Sequence, residues 1–126
     1  MPSQVKIDLF EIEQIPHVRV AIFTGQVDES NLEQVKVKLD PLLLEDSVTY
    51  IILNFSQLTF INSKVIGYLT GLYSRLAESK KKLLFVECNE SILDILTLVG
   101  LTRIIPNYPT LEEAVELVQS DAEQEN

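Results

Sequence analysis

Side chains able to carry covalent chemistry are few in this chain: one histidine, His17, and one cysteine, Cys88. A reaction centre needs a nucleophile, a base and a group that holds developing charge. His17 follows Pro16 in a stretch that reads as a turn, with no glycine-rich or helix-opening context to receive a phosphate. A phosphocarrier role has nothing else to rest on. Cys88 follows the apolar run LLFVE with no activating histidine nearby, and reads as a half-buried strand-end thiol. Being single, it closes no internal disulfide and builds no cysteine-rich metal site. There is no Walker-type glycine loop, no G-x-G-x-x-G and no paired His/Glu spacing for a metal. Asn54 ends a central apolar run where a phosphate-accepting aspartate would stand, and an amide is a poor nucleophile. An enzyme is not expected.

One stretch survives, FINSKVIGYLTGL from Phe60 to Leu72. An apolar run stops, Asn62-Ser63-Lys64 intervenes, and helical spacing begins at once. The first turn of a helix leaves backbone N–H groups unpaired and carries a partial positive charge. A phosphate on Ser63 would be accommodated there without unfolding the helix. The plain alternative is that Asn62 or Ser63 is simply the N-cap. These residues alone leave both open.

Such a seam has to be positioned by the elements around it. Val5 to Ile12 alternates polar and apolar residues, the pattern of a strand with one wet face. Val18 to Phe23 is β-branched and aromatic, a second strand, and Gln14-Ile15-Pro16-His17 supplies the hairpin turn between them. Gly25 closes the second strand. Asp28 or Ser30 caps a helix whose face is Leu32, Val35, Leu39 and Leu42, and Pro41 must end or kink it near Asp40. VTYIIL, Val48 to Leu53, is a central strand covered on both faces. Val65, Ile66, Leu69, Leu72, Tyr73 and Leu76 mark a helix over 63–79, which Gly67 and Gly71 would let lie close to the sheet. Lys80-Lys81-Lys82 reads as a solvated turn.

Leu83 to Val86 is a short buried strand, Ile92 to Val99 a helix stopped by Gly100, and Arg103 to Ile105 a last strand. Thr110 caps a final helix with the face Leu111, Ala114, Val115 and Val118. The order β-β-α-β-α-β-α-β-α predicts an α/β single domain over 1–119, a mixed β-sheet with helices packed on it. The acidic tail, 120–126, should fray. The net charge of −9 argues against nucleic acid and anionic membrane surfaces as partners. No apolar run approaches the roughly 20 residues of a membrane helix, and no N-terminal stretch has a secretion-signal pattern, so a cytoplasmic location is expected.

LNFSQLTFINSKVIG, Leu53 to Gly67, resembles the signature L-D-L-S-x-L-x-F-[IM]-D-S-[ST]-G-L-G of STAS domains in the bacterial anti-sigma-factor antagonist family. TGQVD, Thr24 to Asp28, resembles the family's T/S-G-E-L-D at the end of the second strand. Cys88-Asn89 before a short helix and Leu98-Val99-Gly100-Leu101 before the last strand fit in order. The resemblance implies a STAS-like fold over nearly the whole chain, no cofactor, and a role as an anti-sigma-factor antagonist in a partner-switching pathway. By the same resemblance, Ser63 stands where those antagonists are phosphorylated by a partner that is both anti-sigma factor and serine protein kinase. Phosphorylation weakens that complex and a serine phosphatase restores it.

The implied partner-binding surface comprises Asp28, Asn62, Ser63, Lys64, Val65 and Tyr68, with Ile61 completing an apolar patch if these side chains are exposed. Four of the departures from the pattern matter: Asn62 replaces an aspartate, Lys64 a small residue, Val65 a glycine, and Asn54 an acid at the end of the central strand. Two readings follow. In one, Ser63 is phosphorylated and the protein is a regulated antagonist. In the other, the serine is a relic cap and the domain is a non-phosphorylated, diverged STAS scaffold or constitutive protein-binding module.

Overall fold

Val5–Ile12 (β1) and Ile15–Gln26 (β2) pair antiparallel, and β2 then pairs parallel with Tyr50–Phe60 (β3). Lys82–Val86 (β4) and Asn107–Tyr108 (β5) extend the parallel part, so the mixed sheet runs in sequence order, β1-β2-β3-β4-β5. This is a computed structural model, and it describes residues 2–124. Leu32–Leu39 (α1), Ser63–Glu78 (α2) and Glu90–Leu98 (α3) cross between parallel strands, and Leu111–Gln124 (α4) follows β5.

Connections of one hand between strands laid down in sequence put their crossover helices on one face of a sheet. The core divides accordingly. Val35 and Leu39 of α1, Leu69, Leu72 and Leu76 of α2, and Ile92 and Leu96 of α3 pack with Ile51, Leu53 and Phe55 of β3. On the other face Ala114 and Val118 of α4 cover Val18, Val20, Ile52, Leu84 and Val86. Tyr50 to Leu53 is therefore buried on both sides, which explains its unbroken apolar run.

The order of strands and helices is the one the sequence predicts; several boundaries are not. The hairpin turn is confined to Glu13-Gln14, with Gln14 in the left-handed region at φ 72°, and Ile15, Pro16 and His17 belong to β2. β3 does not stop near Leu53. Beyond Asn54 it loses β4 but keeps pairing with β2, out to Phe60 opposite Gln26. Arg103-Ile104-Ile105 is not a strand: Gly100, at φ 83°, leads into a 3-10 turn over Leu101–Arg103. That turn drops Ile105 into the core, so burial overrides β-propensity. α1 ends at Leu39, and Pro41 lies in a 3-10 segment, Asp40–Leu44, as its ring requires.

Further corrections concern polar groups. Neither Asp28 nor Ser30 caps α1: Asn31 occupies that position without a side-chain bond to the helix. Lys81 is no solvated turn residue, because its ammonium donates to the carbonyls of Leu42 (3.3 Å), Val48 (2.7 Å) and Glu45. Thr110 does cap α4, its hydroxyl accepting from the Glu113 N–H at 3.2 Å. Within the tail, α4 continues to Gln124, and Asp121 accepts from the Tyr50 hydroxyl at 2.9 Å. Residues 125 and 126 lie outside the described residues.

Two glycines behave in opposite ways. Gly25 has φ +114°, and a Cβ there would sit 2.3 Å from the Gln4 carbonyl oxygen. Gly67, expected to bring α2 close to the sheet, would place a Cβ with nothing within 4 Å. Gly67→Ala should therefore raise stability by about 0.5–1 kcal/mol, because the alanine gives up less backbone entropy in a helix. Gly25→Ala should lower it by about 2 kcal/mol or more through strain and collision. Urea midpoints moving in opposite directions would check both.

Candidate functional site

The seam between β3 and α2 is built by Asn62. Its backbone is extended, φ −119° and ψ −175°, and its side-chain oxygen accepts from the Val65 N–H at 3.3 Å. Asn62 is thus the N-cap and Ser63 the first helical residue. Ser63 is exposed, and its hydroxyl makes no hydrogen bond among the described residues. Lys64 is also exposed and forms no ion pair among them. The first turn of this 16-residue helix carries no acidic residue, so its positive end is not neutralised from within.

The second half of the site comes from the loop after β2. The Val27 N–H donates to the Phe60 carbonyl at 2.9 Å, which draws the loop against the end of β3. There the Asn62 amide donates to the Glu29 carboxylate. Asp28 holds the loop together. Its carboxylate accepts from the Ser3 hydroxyl at 2.5 Å and from the Ser30 N–H and hydroxyl at 2.8 and 2.5 Å. The Ser3 bond foremost, then the two from Ser30, hold its pKa below the ordinary carboxylate value. Buried Asn31 completes the loop: its oxygen accepts from the Asp28 N–H at 3.0 Å, and its amide donates to the carbonyls of Gln26 (2.8 Å) and Ser3 (3.0 Å). Sequence reasoning missed Glu29 and Asn31 in these roles. The signal for Glu29 was its place beside the TGQVD motif, in a chain that has lost the acid at position 62.

Of the two placements open to Ile61, Val65 and Tyr68, core or exposed patch, the structure has the core. Ile61 and Val65 are each 4 % exposed and Tyr68 is 9 % exposed, all within the main core. Val65 faces inward because it lies on the same helical face as Leu69, Leu72 and Leu76, so its branched side chain adds no bulk around Ser63. The Tyr68 hydroxyl donates to Asp40 at 2.6 Å, with Lys36 and Arg75 over its ring at 5.9 and 6.0 Å. Burial above all, with Asp40 adding to it, pushes that phenol's pKa up. Of the predicted partner residues, Ser63 and Lys64 are exposed and Asn62 is half-buried; Val65 and Tyr68 are interior.

The remaining candidates are structural. Asn54 is buried, donating to Glu87 at 3.2 Å and accepting from the Ser56 N–H at 2.9 Å. His17 meets the Tyr50 ring edge-on at 6.0 Å. Cys88 is half-buried, and burial pushes its thiol up to about 11. Among the described residues, no cluster of His, Cys, Asp or Glu could hold a metal, and no helix is long and apolar enough to cross a membrane.

The seam, its loop and all of the sheet except the first half of β1 fall within residues 10–114, which match the family model described as the STAS domain. The chain belongs to the STAS family. Among STAS relatives, an anti-sigma F factor antagonist of Paenibacillus polymyxa is 22 % identical over 98 residues, 78 % of this chain and 84 % of that one. An anti-sigma factor antagonist from Mycobacterium paratuberculosis superposes with a TM-score of 0.79 at 20 % identity, covering 92 % of this chain and 95 % of that one. The Bacillus cell fate determinant SpoIIAA, in its phosphorylated form, superposes with a TM-score of 0.70 at 23 % identity, covering 90 % and 99 %. Against the STAS signature, the acid missing at Asn62 is replaced in space by Glu29, on the adjacent loop and bonded to Asn62 itself.

Asn62→Ala should cost about 1 kcal/mol as a lost N-cap, whereas Ser63→Ala should change stability by less than about 0.5 kcal/mol, measured by urea unfolding. Cys88 should react with a thiol reagent more slowly in the folded than in the urea-unfolded chain at pH 8. Its folded-state rate should keep rising toward a pH of about 11, because only the thiolate attacks.

Proposed function

We propose that this STAS protein is an anti-sigma-factor antagonist of a partner-switching pathway. Its unmodified form binds an anti-sigma factor that is also a serine protein kinase, phosphorylation of Ser63 weakens that complex, and a serine phosphatase restores it. The observation that carries the reading is that Ser63 is exposed at the start of α2 with its hydroxyl unused by the fold, since Asn62 does the capping. A serine kept only as a cap would make that bond itself. The names of the Paenibacillus relative and of phosphorylated SpoIIAA support the same reading.

The chemistry suits a binding switch. A phosphate adds roughly −1.5 to −2 charges, and a helix start accepts it without unfolding. The fold survives the modification while the surface changes. That surface already carries Glu29 beside Asn62 in a chain of net charge −9, and Lys64 offsets only part of the addition. A partner that docks on neutral Ser63 would have to desolvate or repel the new charge, which costs several kcal/mol when no cation meets it. The role is that of a ligand for other proteins, not of an enzyme.

The test joins two measurements. Phosphopeptide mapping of the protein from its native cells, growing and stressed, should find a phosphate on Ser63 whose occupancy changes with condition. Titration calorimetry against the anti-sigma factor should show Ser63→Ala binding like the wild type and Ser63→Asp at least about tenfold more weakly, a loss of about 1.4 kcal/mol. A Ser63 unmodified under every condition would instead make the domain a constitutive STAS binding module.

A further inference from the structure

We propose that two copies of this chain associate through their β1 edges, antiparallel about a two-fold axis at Ile7, to form one continuous sheet. β1 is the outermost strand and spans eight residues, whereas the opposite edge, β5, spans two. Among the described residues no strand pairs with the outer side of β1. The direction of its free groups follows from one bond. The Gln4 carbonyl accepts from the Gln26 N–H, so Gln4, and by alternation Lys6, Asp8 and Phe10, turn their backbone groups toward β2. Val5, Ile7 and Leu9 therefore turn N–H and C=O outward, where a second strand could take them.

Side chains then select the partner and the register. Lys6 and Asp8 lie on the same face, 3.6 Å apart and 73 % and 54 % exposed. Antiparallel pairing about Ile7 sets each Lys6 opposite the partner's Asp8, at non-hydrogen-bonded positions where side chains approach closely. On the other face Ile7 meets the partner's Ile7 and Val5 meets the partner's Leu9, all half-buried apolar residues already packed on the main core. Moving the axis by one residue would stack Lys6 on Lys6 or Asp8 on Asp8. Exposed edges are usually blunted by charge. Here the two charges are complementary when the strand meets itself. The register of β1 against β2 shifts between Glu11 and Ile12, beyond the residues this pairing uses. A second copy of this chain is thus the occupant that the charge pattern fits, independently of any role for Ser63.

Sedimentation equilibrium should detect a reversible dimer of the full chain at concentrations up to about 1 mM. Lys6→Asp should weaken association at least about tenfold, and the exchange Lys6→Asp with Asp8→Lys should restore it, since both side chains are exposed and neither supports the core. In amide exchange on the wild type, the N–H groups of Ile7 and Leu9 should slow as concentration rises, while those of Lys6 and Asp8 stay slow throughout. A chain that remains monomeric at about 1 mM overturns the proposal. So does a dimer indifferent to Lys6→Asp, one that the double exchange fails to restore, or one that leaves the Ile7 and Leu9 amides in fast exchange.

Discussion

The Asn62 side chain joins three parts of the molecule, and the exposed seam depends on that junction. Its oxygen starts α2 through the Val65 N–H, and its amide reaches Glu29 on the loop after β2. Because one amide both accepts and donates, the helix start and the loop hold each other in place. Ser63 is left with a fixed backbone and a free hydroxyl, a geometry a modifying enzyme or a binding partner can read. A carboxylate at position 62 could cap the helix but could not donate to Glu29, so asparagine at 62 and glutamate at 29 belong together.

The sheet explains why this seam is a surface and not a cleft. Crossovers of one hand place α1, α2 and α3 on one face, and α4 alone covers the other. β3 outruns β4 by several residues and carries its end out beside β2. Asn89 stabilises that extension: its amide donates to the carbonyls of Phe55 (3.1 Å) and Leu58 (2.7 Å), while its oxygen caps α3 through the Ile92 N–H at 3.0 Å. Extended in this way, β3 presents the start of α2 to solvent. The exposed residues nearest that start on the helix, Gly67, Thr70 and Ser74, are small or polar.

One departure from the STAS pattern changes meaning once burial is known. Val65 stands where the pattern has glycine, yet its side chain fills the interior beside Leu69 instead of crowding Ser63. Tyr68 follows it inside and spends its hydroxyl on Asp40. The groups left exposed at this seam are Ser63, Lys64 and the acidic edge of the loop. Asp28, the most motif-like residue of that loop, holds the loop's shape through Ser3 and Ser30, and Glu29 carries the charge toward Asn62.

Periodicity and local chemistry determined a good deal from the sequence by itself. They set the order of strands and helices, the double-sided burial of the central strand, the break at Pro41, the Thr110 cap and the serine at a strand–helix seam. These follow from spacing, ring geometry and hydrogen-bonding capacity within a few residues, which a linear reading contains. Only the tertiary structure decided that Asn62 rather than Ser63 is the cap, that Glu29 returns the missing acid, and that Val65 and Tyr68 are interior. It also replaced the strand expected at Arg103 to Ile105 with a 3-10 turn over Leu101–Arg103 that buries Ile105, and bound Lys81 to the carbonyls of a distant segment. Each of these depends on which groups meet across more than twenty residues of chain, or on which side of a helix finds the core. Local propensity is blind to such meetings, because the free energy that decides them comes from burial and from bonds between parts far apart in sequence.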